Sequence, residues 1–551
     1  MASKKTRISG GFNLGGDQAE ADPLLTEAFF NSGDYRTIED RRDPRCFVVG
    51  RTGSGKSAAL QRLETMRSDH VIRINPEDLS LPYITDLHVI KYLDTLNINL
   101  DPLWIALWKH VLLVEIIRRR YNINSQAAKR NFFDTLRDLV SRDAGKRAAL
   151  DYFDEFESKF WCETDERVRD ITESFSEKIR TEAGGSLGSG PLTANFGTSG
   201  EVDHTSSVSS EQVDRFQRIV NETQLARLNK MMSVLDEDIL SSPNDFKYVI
   251  IDDLDRDWVD ERLSNDLIRC LFRTVHELKR VKNLKIIVAL RTNIFRELDF
   301  GRRSAGQEEK FRSLVLKMRW TRADLGHLLD ERVRVASERA ALDARALESL
   351  LPVSNSKHGN PVEYILDRTL LRPRDAIAFA NECLALGSGK TRLSWSEVYQ
   401  AEHAYSANRL LALRDEWKVT YPGIDQVLEC FRGASPMMRH AELSKCLDSV
   451  MLIPSDARDE SLKWLLELSA GAWKPGQTSW LEQYAPLVRF LFSIGFLGCR
   501  IHAPGRAVFN VDDELFLEAD SRIESAQAFY VHRTYHSALD LRVSRPVTAP
   551  A

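Results

Sequence analysis

The chain has 551 residues, of which 43% are hydrophobic and 28% charged, enough for two to four domains with sizeable cores in a soluble, helix-rich protein. Its 76 Lys and Arg against 81 Asp and Glu leave a net charge of −5, which excludes a global pull toward nucleic acid or acidic membrane and leaves room only for a local basic face. The seven cysteines are scattered without a C-x-x-C pair and MASKKTRISG lacks the apolar core of a secretory signal, so a reduced, cytoplasmic setting with buried thiols is expected.

Along the chain, residues 1–45 read as turns and one short helix. Cys46–Gly50 (CFVVG) is a short apolar run ending in glycine, the pattern of a buried strand. A helix is expected from Lys56 to about Arg67, and a second strand over His70–Ile74. From about Tyr92 to Glu182 the pattern is helical, with NFFDTLRDLV and YFDEFESKFW setting aromatics and leucines at three- and four-residue steps. Within it, Leu103–Ile117 (LWIALWKHVLLVEII) carries Lys109, His110 and Glu115 and is too short to cross a membrane, so it predicts a buried amphipathic helix and no membrane attachment. Residues 183–210 turn rich in Gly, Ser and Thr, as a flexible surface loop does. A helix over Glu211–Leu240, a strand over Tyr248–Ile251, a helix over Asp260–Arg280 and a strand over Leu284–Leu290 follow. From Thr321 nearly everything reads as helix. The exception lies within Phe490–Val511, where FLFSIGFLGCRI, HAPG and RAVFNV suggest the hairpin of a winged helix. The last residues read as a disordered tail.

Between the first strand and its helix, Gly50-Arg51-Thr52-Gly53-Ser54-Gly55-Lys56-Ser57 matches G-x-x-x-x-G-K-[ST], a pattern expected by chance on the order of 0.02 times in a chain this long. Glycines let consecutive N–H groups turn inward on phosphates, and the following helix adds its positive end. The loop therefore predicts an ATP site in which Lys56 reaches the β- and γ-phosphates and the Ser57 hydroxyl ligates Mg2+. The strand Tyr248–Ile251 ends in Asp252-Asp253-Leu254-Asp255-Arg256. Asp252 at its tip is the second candidate Mg2+ ligand, and Asp253 is the candidate to orient or deprotonate the attacking water. Asp255 and Arg256 organise that loop or pair with each other, with a direct role in the site as the alternative. Arg291, at the tip of the Leu284–Leu290 strand, is a candidate to sense the γ-phosphate, with a surface salt bridge as the plain alternative. Leu371-Arg372-Pro373-Arg374-Asp375 opens a helix, and Arg372 or Arg374 either reaches back to the nucleotide or caps that helix. Tyr35 and Ile38 either stack on the adenine or pack in the core.

These residues resemble those of the P-loop ATPases that include AAA+ proteins and their signalling relatives. GRTGSGKS is similar to the Walker A motif of that group and IIDDLDR to its Walker B. The DDLDR form is similar to that of KAP-type NTPases and of the signal-transduction ATPases with numerous domains. IIVALRTN, with arginine at the strand tip, and LRPRDAI are similar to the sensor and lid segments of such enzymes. FNLGGDQAEADPLLTEAFFNSGDYRTI, DDLDRDWVDE, LRPRDAIAFANE and VHRTYHSAL together resemble a little-characterised bacterial P-loop ATPase family. The resemblance implies an α/β, AAA+-like core with a parallel sheet, and an anti-phage or stress-response setting. The resulting division is residues 1–91 and 241–320 for the ATPase core, 92–240 for a helical insertion, 321–410 for a helical lid, 411–543 for a mostly helical, winged-helix-like region and 544–551 for the tail.

Three functions compete. The first is an ATP-hydrolysing regulatory switch acting with a protein effector or as a homo-oligomer. The second is a nucleic-acid-dependent ATPase, favoured by the winged-helix pattern and by Arg118-Arg119-Arg120 and Arg302-Arg303. The third is a scaffold that binds ATP without turnover, left open by Asp253 standing where many relatives have glutamate. Arg296, Arg302 and Arg303 mark the region to inspect for an arginine supplied between subunits.

Overall fold

The computed structural model describes residues 7–16, 18–74, 88–122, 210–221, 225–254, 261–298, 311–453, 460–474 and 479–542, with the single positions 134, 138, 177, 179 and 181. The segments NFFDTLRDLV and YFDEFESKFW, nearly all of the Gly/Ser-rich stretch, Asp255, Arg256, Arg302, Arg303 and the tail lie outside them or almost so. The chain divides into two compact units: Gly33–Arg51 with Lys56–Met318, and Met1–Ser32 with Thr52–Gly55 and Arg319–Ala551. This division groups Met1–Ser32 with the C-terminal helices, where the sequence reading grouped them with the ATPase core.

The first unit is built on a sheet. In chain order it contains α1 (Gly33–Glu39), β1 (Phe47–Gly50), α2 (Lys56–Met66), β2 (Val71–Ile74), α3 (Asp101–Arg120), β3 (Lys247–Ile251), α4 (Glu261–Leu278), β4 (Leu284–Arg291) and β5 (Val315–Lys317). The five strands are parallel in the order β2-β3-β4-β1-β5. Parallel strands need both faces covered, and β1, β3 and β4 are accordingly mostly apolar and almost entirely buried. The register sets Gly50 beside Arg291 and Ile74 beside Ile251, so the C-terminal ends of these strands share one edge of the sheet. β5 escapes a reading of the sequence because it is three residues long and flanked by charge.

The stretch expected to be amphipathic is not. Every side chain from Leu103 to Ile117 in α3 is buried, including Lys109, His110 and Glu115. A helix enclosed all round must carry partners for its polar groups. Lys109 donates to Asn229 Oδ1 at 2.7 Å and is paired with Glu277, and Trp108 Nε1 donates to the Leu267 carbonyl at 2.9 Å. At its start, Asp101 receives both arms of Arg269 at 2.6 and 2.9 Å and a further bond from Arg273 at 3.1 Å. Among the described residues no helix is long and apolar enough to cross a membrane. In β4, buried Lys285 donates to the carbonyls of Thr37 and Asp40 at 2.7 and 2.6 Å, fastening the end of α1; burial pushes its ammonium down to about 8.

The second unit holds α5 (Arg322–Ala340), α6 (Pro361–Leu366), α7 (Pro373–Ala385) and α8 (Trp395–Trp417). The N-terminal segment packs into their core, with Ile8, Phe12 and Leu14 beside Leu325, Leu329, Phe379 and Tyr405. Polar groups fix it there. Leu14 N donates to Asn381 Oδ1 at 2.7 Å, and buried Arg332 reaches both Asp22 Oδ2 and the Leu14 carbonyl at 2.6 Å. Gly15 has φ +93°, and a Cβ there would sit 2.3 Å from Asp22 Oδ1, so no larger residue fits. The remainder comprises α9 (Ile424–Glu429), β6 (Met437–Met438), α10 (His440–Met451), α11 (Trp480–Ser493), β7 (Leu497–Arg500) and β8 (Ala528–Val531) around a separate core. The three short strands form an antiparallel sheet in the order β6-β8-β7. The hairpin expected within Phe490–Val511 is present only as a single antiparallel bridge. RAVFNV contributes one bridge, Cys499 to Val508, and the strand that pairs along β7 is β8.

Removing one member of a buried, fully hydrogen-bonded ion pair strands the other. Asp101→Ala is therefore expected to lower the stability of the sheet unit by about 3–5 kcal/mol, read from the denaturant midpoint.

Candidate functional site

The glycine-rich loop leaves β1 at Gly50 and enters α2 at Lys56. Gly53 and Gly55 have φ of +79° and +92°, a backbone that side chains rarely adopt. Lys56 folds back on the loop, its Nζ donating to the carbonyls of Gly50 at 2.8 Å and Arg51 at 3.3 Å. That arrangement fixes the turn and holds the ammonium at the loop. Two hydroxyl groups at the apex, Thr52 Oγ1 and Ser54 Oγ, are buried with no hydrogen-bond partner among the described residues, which suits a cradle for an oxygen-rich group.

Asp252 stands at the end of β3 and is 8% exposed. Its carboxylate accepts from the Asp253 N–H at 3.0 Å and is hydrogen-bonded to Ser57, with the Lys56 ammonium close enough to favour its charge. Burial and then repulsion from Asp253 outweigh these, so its carboxyl is held above the ordinary range. A buried carboxylate and a hydroxyl bonded to each other, with a second carboxylate next in sequence, are a donor set suited to Mg2+. Asp253 adopts φ +57°, a left-handed conformation that asparagine and aspartate tolerate best, and this turns the chain sharply at the strand end.

Arg291 ends β4, aligned with Gly50 of β1, and precedes the short helix Thr292–Glu297, in which Arg296 is exposed. The structure thus joins Ser57 and Asp252 by a hydrogen bond, with the Lys56 ammonium near enough to favour the Asp252 charge, and puts Arg291 at the level of the first loop glycine. Tyr35 and Ile38 lie in α1 and are enclosed in protein, Tyr35 being 4% exposed. Arg374 sits in the first turn of α7, with its backbone N–H bonded to the Gly53 carbonyl at 3.4 Å. Its side chain crowds Gly53 so closely that a Cβ on that glycine would come within 2.8 Å of Arg374 Cβ. Arg372 is buried among Asp375, Glu416 and the Thr52 carbonyl. One contact carried no sequence signal: Trp320 Nε1 donates to the Ser54 carbonyl at 2.8 Å.

A parallel sheet, a glycine-rich loop running from its strand β1 into a helix, and acidic residues at the tip of β3 define an α/β P-loop fold. Residues 323–414 match the family described as the FunZ-associated C-terminal helical domain. Over 98% of its length the chain is 23% identical to the putative transposon gamma-delta 80.3 kDa protein of Escherichia coli (strain K12), covering 68% of that protein. It is also 26% identical over 151 residues to allergen Alt a 2 of Alternaria alternata, a match that spans 26% of this chain and 76% of the allergen. Among solved structures, the Aeropyrum pernix ORC1 protein in complex with DNA aligns over 92% of this chain and 95% of its own, at 13% identity and a TM-score of 0.30.

The raised carboxyl of Asp252 has a measurable sign. Its charged form is disfavoured in the folded protein, so the stability it contributes is complete below the ordinary carboxylate value, about 4, and is lost as pH rises through the higher folded value. Asp252→Asn is expected to raise the thermal midpoint of nucleotide-free protein at pH 7, with the difference vanishing toward pH 4. Thermal unfolding across that pH range checks it.

Proposed function

We propose that the protein is a Mg2+-dependent ATP-binding and ATP-hydrolysing regulatory switch. The observation that carries this reading is the hydrogen bond between Ser57 and Asp252, with the Lys56 ammonium close by, where the loop enters α2 and β3 ends. In this reading Gly50, Arg51, Thr52, Gly53, Ser54 and Gly55 wrap the phosphates with their N–H groups. Lys56 exchanges its loop carbonyls for phosphate oxygens, and Ser57 with Asp252 holds Mg2+. The metal supplies charge neutralisation of the phosphates. Asp253, turned sharply out of the strand, orients water for attack on the γ-phosphoryl group and takes up its proton. Arg291 at the neighbouring strand tip offsets the negative charge of the transferring group. Arg374 is the lid arginine that registers which nucleotide is bound, and the helices after Arg319 relay that state to a protein effector or a second copy of the chain.

A second reading, a nucleic-acid-dependent ATPase, draws support from topology. With the short helices Lys463–Leu468 and Asp520–Glu524 set aside, the order β6-α10-α11-β7-β8 and the sheet order β6-β8-β7 are similar to those of a winged helix. Charge argues against it. In a winged helix the third helix and the wing meet the duplex. Here α11 offers Glu482 and Arg489, and Arg489 is already paired with Asp520. Residues 501–527 carry Asp512, Asp513, Glu514, Glu518, Asp520 and Glu524 against Arg506 and Arg522. Such a surface repels phosphate rather than collecting it, and a protein partner fits it better.

Steady-state ATP hydrolysis by the full chain tests both readings. Lys56→Ala is expected to lower kcat/KM by about 10²-fold or more, and Asp253→Ala to lower kcat by about 10²–10⁴-fold with ATP still bound. Duplex DNA or RNA is expected to change turnover by less than about twofold, since electrostatic capture needs a basic face. Strong stimulation by nucleic acid would promote the second reading. Tight ATP binding without turnover would leave Asp253 with no catalytic part.

A further inference from the structure

Within the second unit, which includes Thr52–Gly55, three successive carbonyls at the loop apex are taken by Arg372, Arg374 and Trp320. Thr52 O accepts from Arg372 Nη1 at 3.0 Å, Gly53 O from the Arg374 N–H at 3.4 Å, and Ser54 O from Trp320 Nε1 at 2.8 Å. None of these peptide bonds is cis, and a trans peptide sets its C=O and N–H on opposite sides. Fixing each carbonyl therefore aims the N–H of Gly53, Ser54 and Gly55 away from its own donor. Those are the amides a phosphate needs.

The donors are themselves held. Arg372 Nε donates to Asp375 Oδ2 at 2.9 Å, and its Nη1 lies 3.3 Å from Glu416 Oε2 on α8. Asp375 also accepts from Leu370 N and from Arg409 Nη1, each at 3.1 Å. Burial alone would raise the Asp375 carboxyl, but Arg372 and Arg409 bring it down to about 2, so the cluster stays ionised. Leu371, between the two halves of this knot, has φ +48°, a strained setting for leucine that persists only where the surroundings over-determine it. Trp320 is flanked by Phe30, with ring centroids 6.0 Å apart, and its ring lies 3.6 Å from where a Cβ on Gly55 would be.

We propose that Arg372 and Trp320 are positioning residues: rather than touching nucleotide, they pin the apex carbonyls so that three backbone amides are aimed as a ready-made anion nest. This rests on the reading of the loop as a phosphate site. Arg372 then differs in role from Arg374 two residues on. Its charge is spent on Asp375 and Glu416, and what it offers the nucleotide is the orientation of the Thr52–Gly53 peptide. Pre-aimed amides reduce the ordering that binding requires. Because ground state and transition state use the same amides, the effect falls on affinity more than on kcat.

Two substitutions isolate the donors in the full chain. Trp320→Phe keeps a ring beside Phe30 and deletes the N–H. Arg372→Lys keeps the charge beside Asp375 and Glu416 and loses the planar fork. Glu416→Gln, which leaves the bond to Thr52 in place, is the control. Backbone hydrogen exchange is followed at residues 53–55, alongside Mg2+-ATP binding, kcat and the thermal midpoint. In Trp320→Phe and Arg372→Lys, apex amides are expected to exchange about tenfold faster. The Kd for ATP is expected to weaken about five- to tenfold with kcat within about twofold, as for loss of one hydrogen bond; Glu416→Gln changes Kd by less than about twofold. A lower thermal midpoint with unchanged apex exchange overturns the proposal, as does faster exchange with unchanged affinity. If wild-type protein binds ATP no better than Lys56→Ala, the phosphate-site reading itself fails, a result separate from the exchange measurement.

Discussion

Asp252 ends a strand flanked on both sides and buried on both faces, and that burial governs the residues around it. A carboxylate in bulk water would need no help. In this position its charge is disfavoured by desolvation and by Asp253, and this is offset by the Ser57 hydroxyl, the Asp253 N–H and the Lys56 ammonium. Those partners come from the two places that the parallel sheet brings to one edge: the exit of β1 and the exit of β3. The fold is thus the means by which a costly group is kept beside the groups that tolerate it. A cation bound there would relieve the same cost, which is why such positions serve as metal ligands.

How much of this was readable from the sequence depended on range. The loop was legible because its chemistry is local: glycines at fixed offsets, a lysine and a hydroxyl residue, with an apolar run before them. Asp252, Asp253 and Arg291 were legible because a buried parallel strand is a short apolar run and the polar residue after it marks its tip. Contacts bridging hundreds of residues were not. Nothing around Trp320 announces that its indole will meet Ser54, and Arg372 and Arg374 look interchangeable until Asp375 and Glu416 are seen to take one of them. The strand β5 was too short to register. α3 was misread as amphipathic because its charges suggest a wet face. Asn229 and Glu277, which allow Lys109 to be buried, lie more than a hundred residues away.

Buried ion pairs recur at the joints of both units. Arg269 with Asp101 joins α4 to α3, Arg332 with Asp22 joins α5 to the N-terminal segment, and Arg372 with Asp375 and Glu416 joins the start of α7 to α8. Such pairs add little net stability compared with well-packed apolar residues, because desolvation consumes most of the attraction. Their value is discrimination: a helix that slips by one turn leaves a charge unpaired in the interior. Each arginine here presents a fork matched to a particular carboxylate or carbonyl, so each fixes a register that leucines and valines would leave loosely defined.

The path of the chain through its two units also bears on how the molecule is made. Ile8, Phe12 and Leu14 belong to a core whose other walls are Leu325, Leu329, Phe379 and Tyr405, and Leu14 bonds to Asn381. At synthesis rates of about 5–20 residues per second, this segment emerges roughly 15–80 s before its partners exist. During that interval its apolar side chains have no native surface to cover them, while the sheet unit assembles from the intervening sequence. Residues made more than three hundred positions before their partners are therefore buried late. A nascent chain of this design depends on holding that segment apart from other apolar surfaces until α7 arrives.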